Sequence, residues 1–384
     1  MSPSINSVTD KKPFIYDLIS DTATVPTDEM FEIMKAATRG DDVYQTDDDC
    51  KALEDYVAQL LGHEAALFCT SGTLSNQLGL RCLLFQPPHS VLCDSRSHVF
   101  NYECGGIAYH SQANVTPVFA KGTYMTAQEV ESRINKDTLC GAPTKVISLE
   151  NTMNGTIMPI DEIHKIHDVA RANNCKMHLD GARLWNASQA TGVPLSEYGQ
   201  YFDTVSICLS KGAGAPIGSM LTGPKELIER ARHLRKLMGG GWRQAGMLAR
   251  VARHCIETIV PTMPETHALA RKLGDHLESL GIKLLLPLET NMLFIDTSKT
   301  GLTIAELAEG LKVKNIKIFS SPGTTARIAL HYQITAQAVD DFMQVASELV
   351  HAKKTSGFIP SNSKDTHVET IEQTAEAAYP SVNV

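Results

Sequence analysis

The sequence predicts an α/β protein, with a large domain built on a mostly parallel sheet and a smaller α+β domain after it. Short apolar runs rich in β-branched residues alternate with segments of helical periodicity between residues 27 and 260, as in successive βαβ units. The chain of 384 residues is also longer than one hydrophobic core usually supports, so two domains are expected.

The composition excludes several classes of protein. The net charge is −8 and no basic run occurs, which argues against a nucleic-acid surface. No stretch approaches the roughly 18 apolar residues of a membrane span, and residues 1–10 lack the cationic start and apolar core of a signal peptide. The nine cysteines are never spaced Cys-x-x-Cys, which predicts reduced thiols in a cytoplasmic protein rather than disulfides or a zinc site.

Changes in composition and in the predicted elements divide the chain into four segments. We expect an irregular N-terminal arm over residues 1–26, the large α/β domain over 27–260 and the small domain over 261–352. From 353 to 384 the composition becomes polar, which predicts a disordered tail.

The elements are predicted in order by hydrophobic period and by capping residues, beginning with Thr27 as a helix N-cap. In the large domain the predicted strands are 65–69, 90–94, 146–149, 176–179, 204–209 and 217–221, and the predicted helices are 27–40, 50–61, 71–83, 161–172 and 225–237. In the small domain a helix with a leucine stripe (Leu269, Leu273, Leu277, Leu280) precedes strands near 282–286, 291–296, 316–319 and 326–330, and a closing helix buries Val339, Phe342, Ala346 and Leu349.

Candidate functional residues follow several of these strands. Ser71-Gly72-Thr73 opens a helix, whose free N–H groups and positive dipole end favour a phosphate; capping by Ser71 alone is the structural alternative. His98 follows strand 90–94, where an imidazole can stack on a flat aromatic cofactor and carry protons. Its alternative is a histidine that is satisfied by a backbone carbonyl.

A carboxylate and an arginine follow the strand at 176–179. A buried Asp180 needs a cationic partner, and a protonated pyridine nitrogen is one such partner. Arg183 offers a planar fork to a carboxylate or to the phenolic oxygen of a cofactor. A purely structural Asp180–Arg183 pair is the alternative.

A lysine follows the buried run 204–209. Desolvation favours the neutral amine, which is the form that attacks carbonyls, so Lys211 is a candidate Schiff-base lysine for pyridoxal phosphate (PLP). A solvated loop lysine is the alternative. Asp180 lies 211 − 180 = 31 residues earlier, which leaves room for one crossover, so both strand ends are expected at the same sheet edge.

Other patterns are weaker. His164 and His167 share a helix face, but no third ligand is near and no metal site is expected. The glycines of 212–218 resemble a dinucleotide fingerprint, but a strand follows them, so no nicotinamide site is expected. Arg243 follows three glycines, which suits an anion or a flexible connection. Arg327 lies within the last predicted strand, where a substrate carboxylate would be its partner.

Seven motifs occur in the order seen in the L-threonine aldolases, and residues 14–350 resemble that family. The motifs are Ser20-Asp21-Thr22, Gly40 to Tyr44, Ser71-Gly72-Thr73, Leu149 to Thr152, His178 to Arg183, Cys208 to Gly212 and Gly239 to Gln244. The resemblance implies an aspartate-aminotransferase-like enzyme of PLP fold type I. It also implies a dimer of dimers, with active sites at the subunit interface.

The same resemblance implies a role for each candidate residue. Lys211 forms the Schiff base, Asp180 contacts the pyridine nitrogen and His98 stacks over the ring. The other cofactor-binding residues are Ser71, Gly72, Thr73, Arg183 and Arg243, with Gly72, Thr73 and Arg243 at the phosphate. The substrate-binding residues are Ser20, Arg183 and Arg327 at the amino-acid carboxylate, Tyr44 at the interface, and Met153.

The motifs depart from the family at Met153, Ile19 and Gln45. Bacterial members often carry a histidine in place of Met153, and methionine cannot accept the proton of a substrate hydroxyl. The leading hypothesis is an aldolase that cleaves L-threonine or L-allo-threonine and related β-hydroxy-α-amino acids to glycine and an aldehyde. An alanine racemase on the same scaffold is the alternative, and a non-catalytic PLP-fold binding protein is the third.

Overall fold

A computed structural model describes residues 15–356. They form two compact units. The larger comprises Thr24–Ala268 and Leu286–Met292, and the smaller comprises the described parts of Met1–Ala23, Leu269–Leu285 and Leu293–Val384. The predicted arm up to residue 14 and the predicted tail from residue 357 lie outside the described residues. The domain boundaries at 27, 260 and 352 stay predictions.

The strands, in chain order, are β1 (Tyr16–Asp17), β2 (Ala65–Cys69), β3 (Ser90–Asp94), β4 (Asn114–Val118), β5 (Thr144–Glu150), β6 (Lys176–Gly181), β7 (Thr204–Cys208), β8 (Ser219–Gly223), β9 (Lys283–Leu284), β10 (Met292–Asp296), β11 (Ile316–Lys317) and β12 (Thr325–Ala329).

The α-helices are α1 (Asp28–Lys35), α2 (Asp48–Leu61), α3 (Gly72–Leu83), α4 (His98–Asn101), α5 (Gly106–Ser111), α6 (Ala127–Arg133), α7 (Ile160–Ala172), α8 (Leu184–Thr191), α9 (Leu195–Gly199), α10 (Lys225–Leu237), α11 (Gly246–Thr258), α12 (Met263–Ser279), α13 (Ile304–Lys312) and α14 (Ala336–Thr355). Short 3₁₀ helices span Asp42–Tyr44, Val260–Thr262 and Ser298–Thr300.

A seven-stranded sheet forms the centre of the larger unit, in the order β2-β8-β7-β6-β5-β3-β4. Strand β8 is antiparallel to β2 and to β7, and the other neighbours are parallel. Parallel strands buried on both faces are expected to be apolar throughout, and β3 and β7 are fully buried along their length. The predicted mostly parallel α/β sheet is confirmed.

The core of this unit joins the sheet to the helices that cover it. Helices α3 and α10 pack with β2 and β8 in one buried group, formed by Leu67, Cys69, Leu78, Cys82, Leu221, Ile228, Ala231 and Leu234. Helix α3 is buried at eight of its twelve positions, polar Ser75, Asn76 and Gln77 among them, so it lies between other elements. This burial holds the N-terminus of α3 at the sheet edge.

The smaller unit contains a three-stranded sheet in the order β12-β10-β9 and a short parallel pair of β1 with β11. Thr303 and Glu306 form a capping box at the start of α13. Lys353 of α14 donates a hydrogen bond of 2.6 Å to the carboxylate of Glu306 on α13. No helix within residues 15–356 has the length and apolar character that crossing a membrane requires.

Candidate active site

A cleft of about 220 Å³ lies at the carboxyl ends of the central strands. Strands β6 and β7 are parallel neighbours in register, with Asp180 opposite Ser206. Asp180 lies near the end of β6, Lys211 lies three residues beyond β7, and both line the cleft. The predicted meeting of the two strand ends is confirmed. The lining residues are Thr70, Ser71, Gly72, Thr73, Asn76, His98, Asp180, Ala182, Cys208, Ser210, Lys211, Pro216, Ile217 and Gly218.

The N-terminus of α3 forms one wall of the cleft. Ser71 is its N-cap, and the Ser71 Oγ accepts a 3.1 Å hydrogen bond from the Leu74 N–H. A Cβ on Gly72 would lie 2.7 Å from Cys208 Sγ, so a glycine is needed where the helix start meets β7. Ser71 therefore caps the helix, as the structural alternative expected, and the helix start also faces the cleft; phosphate binding there stays a prediction.

A carboxylate also lines the cleft, where Asp180 is 2% exposed. Its Oδ1 accepts a hydrogen bond from the Ala182 N–H at 3.1 Å, and its Oδ2 accepts one from Asn76 Nδ2 at 2.9 Å. Donors of this kind favour the ionised carboxylate. A buried anion at a cleft fits a protonated nitrogen of a bound ring.

His98 begins α4 beside the cleft, and its Nδ1 lies 2.9 Å from Glu103 Oε1. Its backbone N–H donates to Glu150 Oε2 at 2.7 Å. Burial alone lowers the pKa of an imidazole, but the hydrogen bond to Glu103 and the charges of Asp180, Glu103 and Glu150 outweigh it and raise the pKa of His98. The ring therefore contacts a carboxylate, where the structural alternative expected a backbone carbonyl.

Glu150 ends β5 directly opposite Asp180 on β6. Burial, followed by the charge of Asp180, raises the pKa of Glu150 to about 8. Glu150 and Asp180 are thus two neighbouring carboxyl groups at the ends of parallel strands, and Glu150 also accepts the backbone N–H of His98.

Arg183, Arg243 and Tyr44, which the sequence also predicts for the site, occupy different places in the chain and in the fold. Arg183 immediately precedes α8, three residues after Asp180. Arg243 and Tyr44 are not among the described residues that line the cleft. The guanidinium of Arg243 contacts Asp41 at 3.1 Å and lies 5.7 Å from the ring of Tyr44, which is 73% exposed.

The remaining predicted substrate residues are buried or lie in the smaller unit. Arg327 Nη2 donates a 3.1 Å hydrogen bond to the carbonyl of Ile19, the neighbour of Ser20 in the chain. Met153 is 6% exposed, pairs through its backbone with Thr156, and is outside the described lining of the cleft. The structure therefore brings Lys211, Asp180, His98, Ser71, Gly72 and Thr73 together at one cleft.

Sequence reasoning missed three buried polar residues: Asn76, Glu103 and His178. Asn76 lies on α3 between Ser75 and Gln77, so this run of three polar residues does not single it out. His178 lies two residues before Asp180 on the same face of β6, as the period of a strand requires. Glu103 follows His98 in the loop after α4, and no local pattern distinguishes it from a surface acid.

The residues of the cleft fit PLP. A helix N-terminus suits its phosphate, a buried carboxylate suits its ring nitrogen and a primary amine suits its aldehyde. Together with the mostly parallel sheet, this constellation defines a PLP-dependent enzyme of fold type I.

Comparison with known proteins gives the family. Residues 17–300 match the beta-eliminating lyase family. A low-specificity L-threonine aldolase from Candida albicans is 47% identical to this chain, over 84% of this chain and 86% of its own length. The alanine racemase TOXG from Cochliobolus carbonum is 34% identical, over 88% of each chain. The structure of a Leishmania major threonine aldolase superimposes with a TM-score of 0.76 at 20% identity, over 87% of this chain and 99% of that one. The chain belongs to the beta-eliminating lyase family, whose enzymes depend on PLP.

Proposed function

We propose that this chain is a PLP-dependent aldolase that cleaves L-threonine and L-allo-threonine to glycine and acetaldehyde. Related β-hydroxy-α-amino acids would give glycine and the matching aldehyde. The observation that carries the proposal is the convergence of Lys211, Asp180 and His98 on one cleft beside the start of α3. The 47% identity to an L-threonine aldolase supports the choice of substrate.

Four groups of this chain would hold the cofactor. The N–H groups of Gly72 and Thr73 at the start of α3 receive the phosphate, and Asp180 receives the ring nitrogen. Lys211 would supply the primary amine for the aldehyde, whose oxygen would leave as water. Bound PLP supplies an electron sink for the electron pair that is released when the Cα–Cβ bond breaks.

The protein groups then orient the amino acid and move its protons. We assign the substrate carboxylate to Ser20, Arg183 and Arg327, as the family resemblance implies. His98 Nε2 takes the proton of the β-hydroxyl, because Nδ1 is engaged with Glu103. Met153 replaces a histidine found in bacterial relatives, and its thioether accepts no proton, so His98 is the base that this proposal requires.

An alanine racemase is the second candidate. The observations that favour it are Met153, which suits a substrate without a β-hydroxyl, and the 34% identity to a racemase. The two reactions differ only in which bond of the bound amino acid is held perpendicular to the cofactor ring, so pocket contacts and not the fold decide between them.

The test uses purified protein saturated with PLP and offers L-threonine, L-allo-threonine and L-alanine separately. Release of glycine and acetaldehyde from threonine or allo-threonine is the expected outcome. D-alanine without cleavage of either β-hydroxy substrate would overturn the aldolase and establish the racemase. Turnover of neither would leave a PLP-binding protein. The Lys211→Ala variant is the matched control and is expected to be inactive.

We further propose that the enzyme is a cytoplasmic homo-oligomer, a dimer of dimers, whose active sites are shared between subunits. All nine cysteines are free, which suits a reducing compartment. Arg243 and Tyr44 lie together outside the described cleft lining, half exposed or more. That position suits side chains that complete the site of a neighbouring copy.

A further inference from the structure

One buried amide contacts two carboxylates beside the candidate cofactor site. Asn76 is 2% exposed on α3, and its Nδ2 donates to Glu103 Oε1 and to Asp180 Oδ2, each at 2.9 Å. Two carboxylate oxygens on one side of the amide leave a single assignment, with the nitrogen facing them. Glu103 Oε1 in turn faces Nδ1 of His98. Asn76 therefore connects the candidate base to the carboxylate at the ring nitrogen.

The other end of the amide is held by a histidine. Asn76 Oδ1 lies 3.1 Å from His178 Nε2, and His178 Nδ1 lies 2.9 Å from Thr204 Oγ1. Burial lowers the pKa of His178 to about 4, so the ring is neutral at pH 7. Because Asn76 Oδ1 is only an acceptor, the single ring proton lies on Nε2 and the Thr204 hydroxyl donates to Nδ1. Asn76 is thus oriented from both ends.

Two glycines make room for this arrangement. A Cβ on Gly79 would lie 2.6 Å from His178 Cε1, and a Cβ on Gly106 would lie 2.6 Å from the Cδ of Gln77. Gln77 is the neighbour of Asn76 and donates to the other oxygen of Glu103, Oε2, at 2.6 Å. Gln77 therefore supports Glu103, and within residues 15–356 it makes no hydrogen bond to Asp180.

We propose that Asn76 is a positioning residue that couples Asp180 to the His98–Glu103 pair. By donating one N–H to each carboxylate, it fixes the orientation of both and holds their spacing. The proposal rests on the proposed function only in taking Asp180 as the partner of the PLP ring nitrogen. Loss of Asn76 weakens the hold of Asp180 on the cofactor and displaces His98 together with Glu103.

The matched variants Asn76→Ala and Gln77→Ala test the proposal, because both remove one donor to Glu103 and only the first removes the donor to Asp180. PLP affinity of the apoenzyme is measured by fluorescence titration without substrate. We expect Asn76→Ala to raise the PLP dissociation constant about 10-fold or more and Gln77→Ala to change it about 2-fold or less, since one hydrogen bond to a charged group is lost in the first case. The absorbance of bound PLP as a function of pH is expected to change in Asn76→Ala only.

Equal effects of the two variants on PLP affinity and on absorbance would overturn the coupling. Thermal melting of each apoprotein separates a folding defect from a binding defect. If Asn76→Ala does not fold, Asn76→Ser, which keeps one donor, carries the same test with a smaller expected loss of affinity. Failure of the wild type to cleave threonine would refute the aldolase and leave these cofactor measurements intact, so the two proposals fail separately.

Discussion

At the scale of single residues, the candidate site depends on buried groups whose charges are balanced by neighbours. Asp180 has two N–H donors, from Ala182 and Asn76, and His98 faces Glu103. An isolated carboxylate at this depth would be strongly destabilised. The hydrogen bonds therefore explain how an acid and an imidazole are accommodated in a largely buried setting.

The titration of His98 gives a prediction at this scale. Glu103, Asp180 and Glu150 face the imidazole and raise its pKa against the effect of burial, and Lys211 lines the same cleft. A base must be neutral, so kcat/KM for threonine is expected to rise with pH through the pKa of His98. Glu103→Gln removes one raising charge, so this rise is expected at lower pH than in the wild type.

The measurement is the pH profile of kcat/KM with each variant saturated with PLP. Glu309→Gln, which changes an exposed carboxylate on α13, is the control and is expected to leave the profile in place. A rise that stays at the wild-type pH in Glu103→Gln would show that His98 is not the titrating base.

At the scale of elements, α3 organises the larger unit. Its first turn faces the cleft, Asn76 lies one turn further on, and Gly79 then packs against His178 of β6. The helix is held in this position by its buried packing with β2, β8 and α10. One element thus places the candidate phosphate-binding terminus and a polar network relative to the same sheet.

Gly79→Ala tests that packing. Helix propensity alone favours alanine by about 1 kcal/mol in a helix interior. The new Cβ would lie 2.6 Å from His178 Cε1 and 3.1 Å from Leu221 Cδ1, and overpacking of this kind typically costs ~1–3 kcal/mol. We expect a net loss in the free energy of unfolding, measured by urea denaturation. Gly122→Ala is the control, because the nearest atom to its new Cβ would be 4.0 Å away. If Gly79→Ala stabilised the protein, the tight packing around Gly79 would be contradicted.

The capping box of α13 gives a second prediction for an element. Thr303 Oγ1 accepts from the Glu306 N–H, and the Glu306 carboxylate accepts from the Thr303 N–H. Thr303→Ala is expected to lower the free energy of unfolding by about 1 kcal/mol. The control Lys312→Ala removes an exposed ion pair with Glu309 on the same helix, and a change within about 0.5 kcal/mol is expected. Equal losses in the two variants would argue against a stabilising cap.

At the scale of the whole molecule, sharing of active sites between copies is testable by mixing inactive variants. If Arg243 serves the neighbouring subunit, Lys211→Ala and Arg243→Ala are each nearly inactive alone. After subunit exchange at equal amounts, about a quarter of the sites combine an intact Lys211 with an intact Arg243 from the other copy. We expect the aldolase activity of the mixture to rise to roughly that fraction of the wild type.

The mixture is compared with the mean of the two separate variants, and the oligomeric state is measured by analytical ultracentrifugation. A mixture no more active than that mean, in protein shown to exchange subunits, would place Arg243 in the site of its own chain. A monomer at all concentrations would refute the shared site directly.

Much of the larger unit follows from local patterns. Strands 65–69 and 90–94 and helix 225–237 were predicted with the bounds that the structure has, because their apolar periods and flanking residues are unambiguous. No helix or strand was predicted between His98 and Arg133, where the structure has α4, α5, β4 and α6. Those helices have four to seven residues, too few to show a period. Strand β4 contains Pro117 and lies at the sheet edge, where proline is tolerated.

The amino-acid sequence by itself determined the α/β class, the order of the main elements and the identities of Lys211, Asp180, His98 and Gly72 as candidates, since each follows a strand or begins a helix. Only the tertiary structure decided which distant groups meet. Asn76 and Asp180 are separated by 104 positions, and Glu103 and Gln77 by 26, yet each pair shares a hydrogen bond. A one-dimensional pattern records the period of an element but not its neighbours, and the burial and hydrogen bonding that give these polar groups their properties arise only when the elements pack.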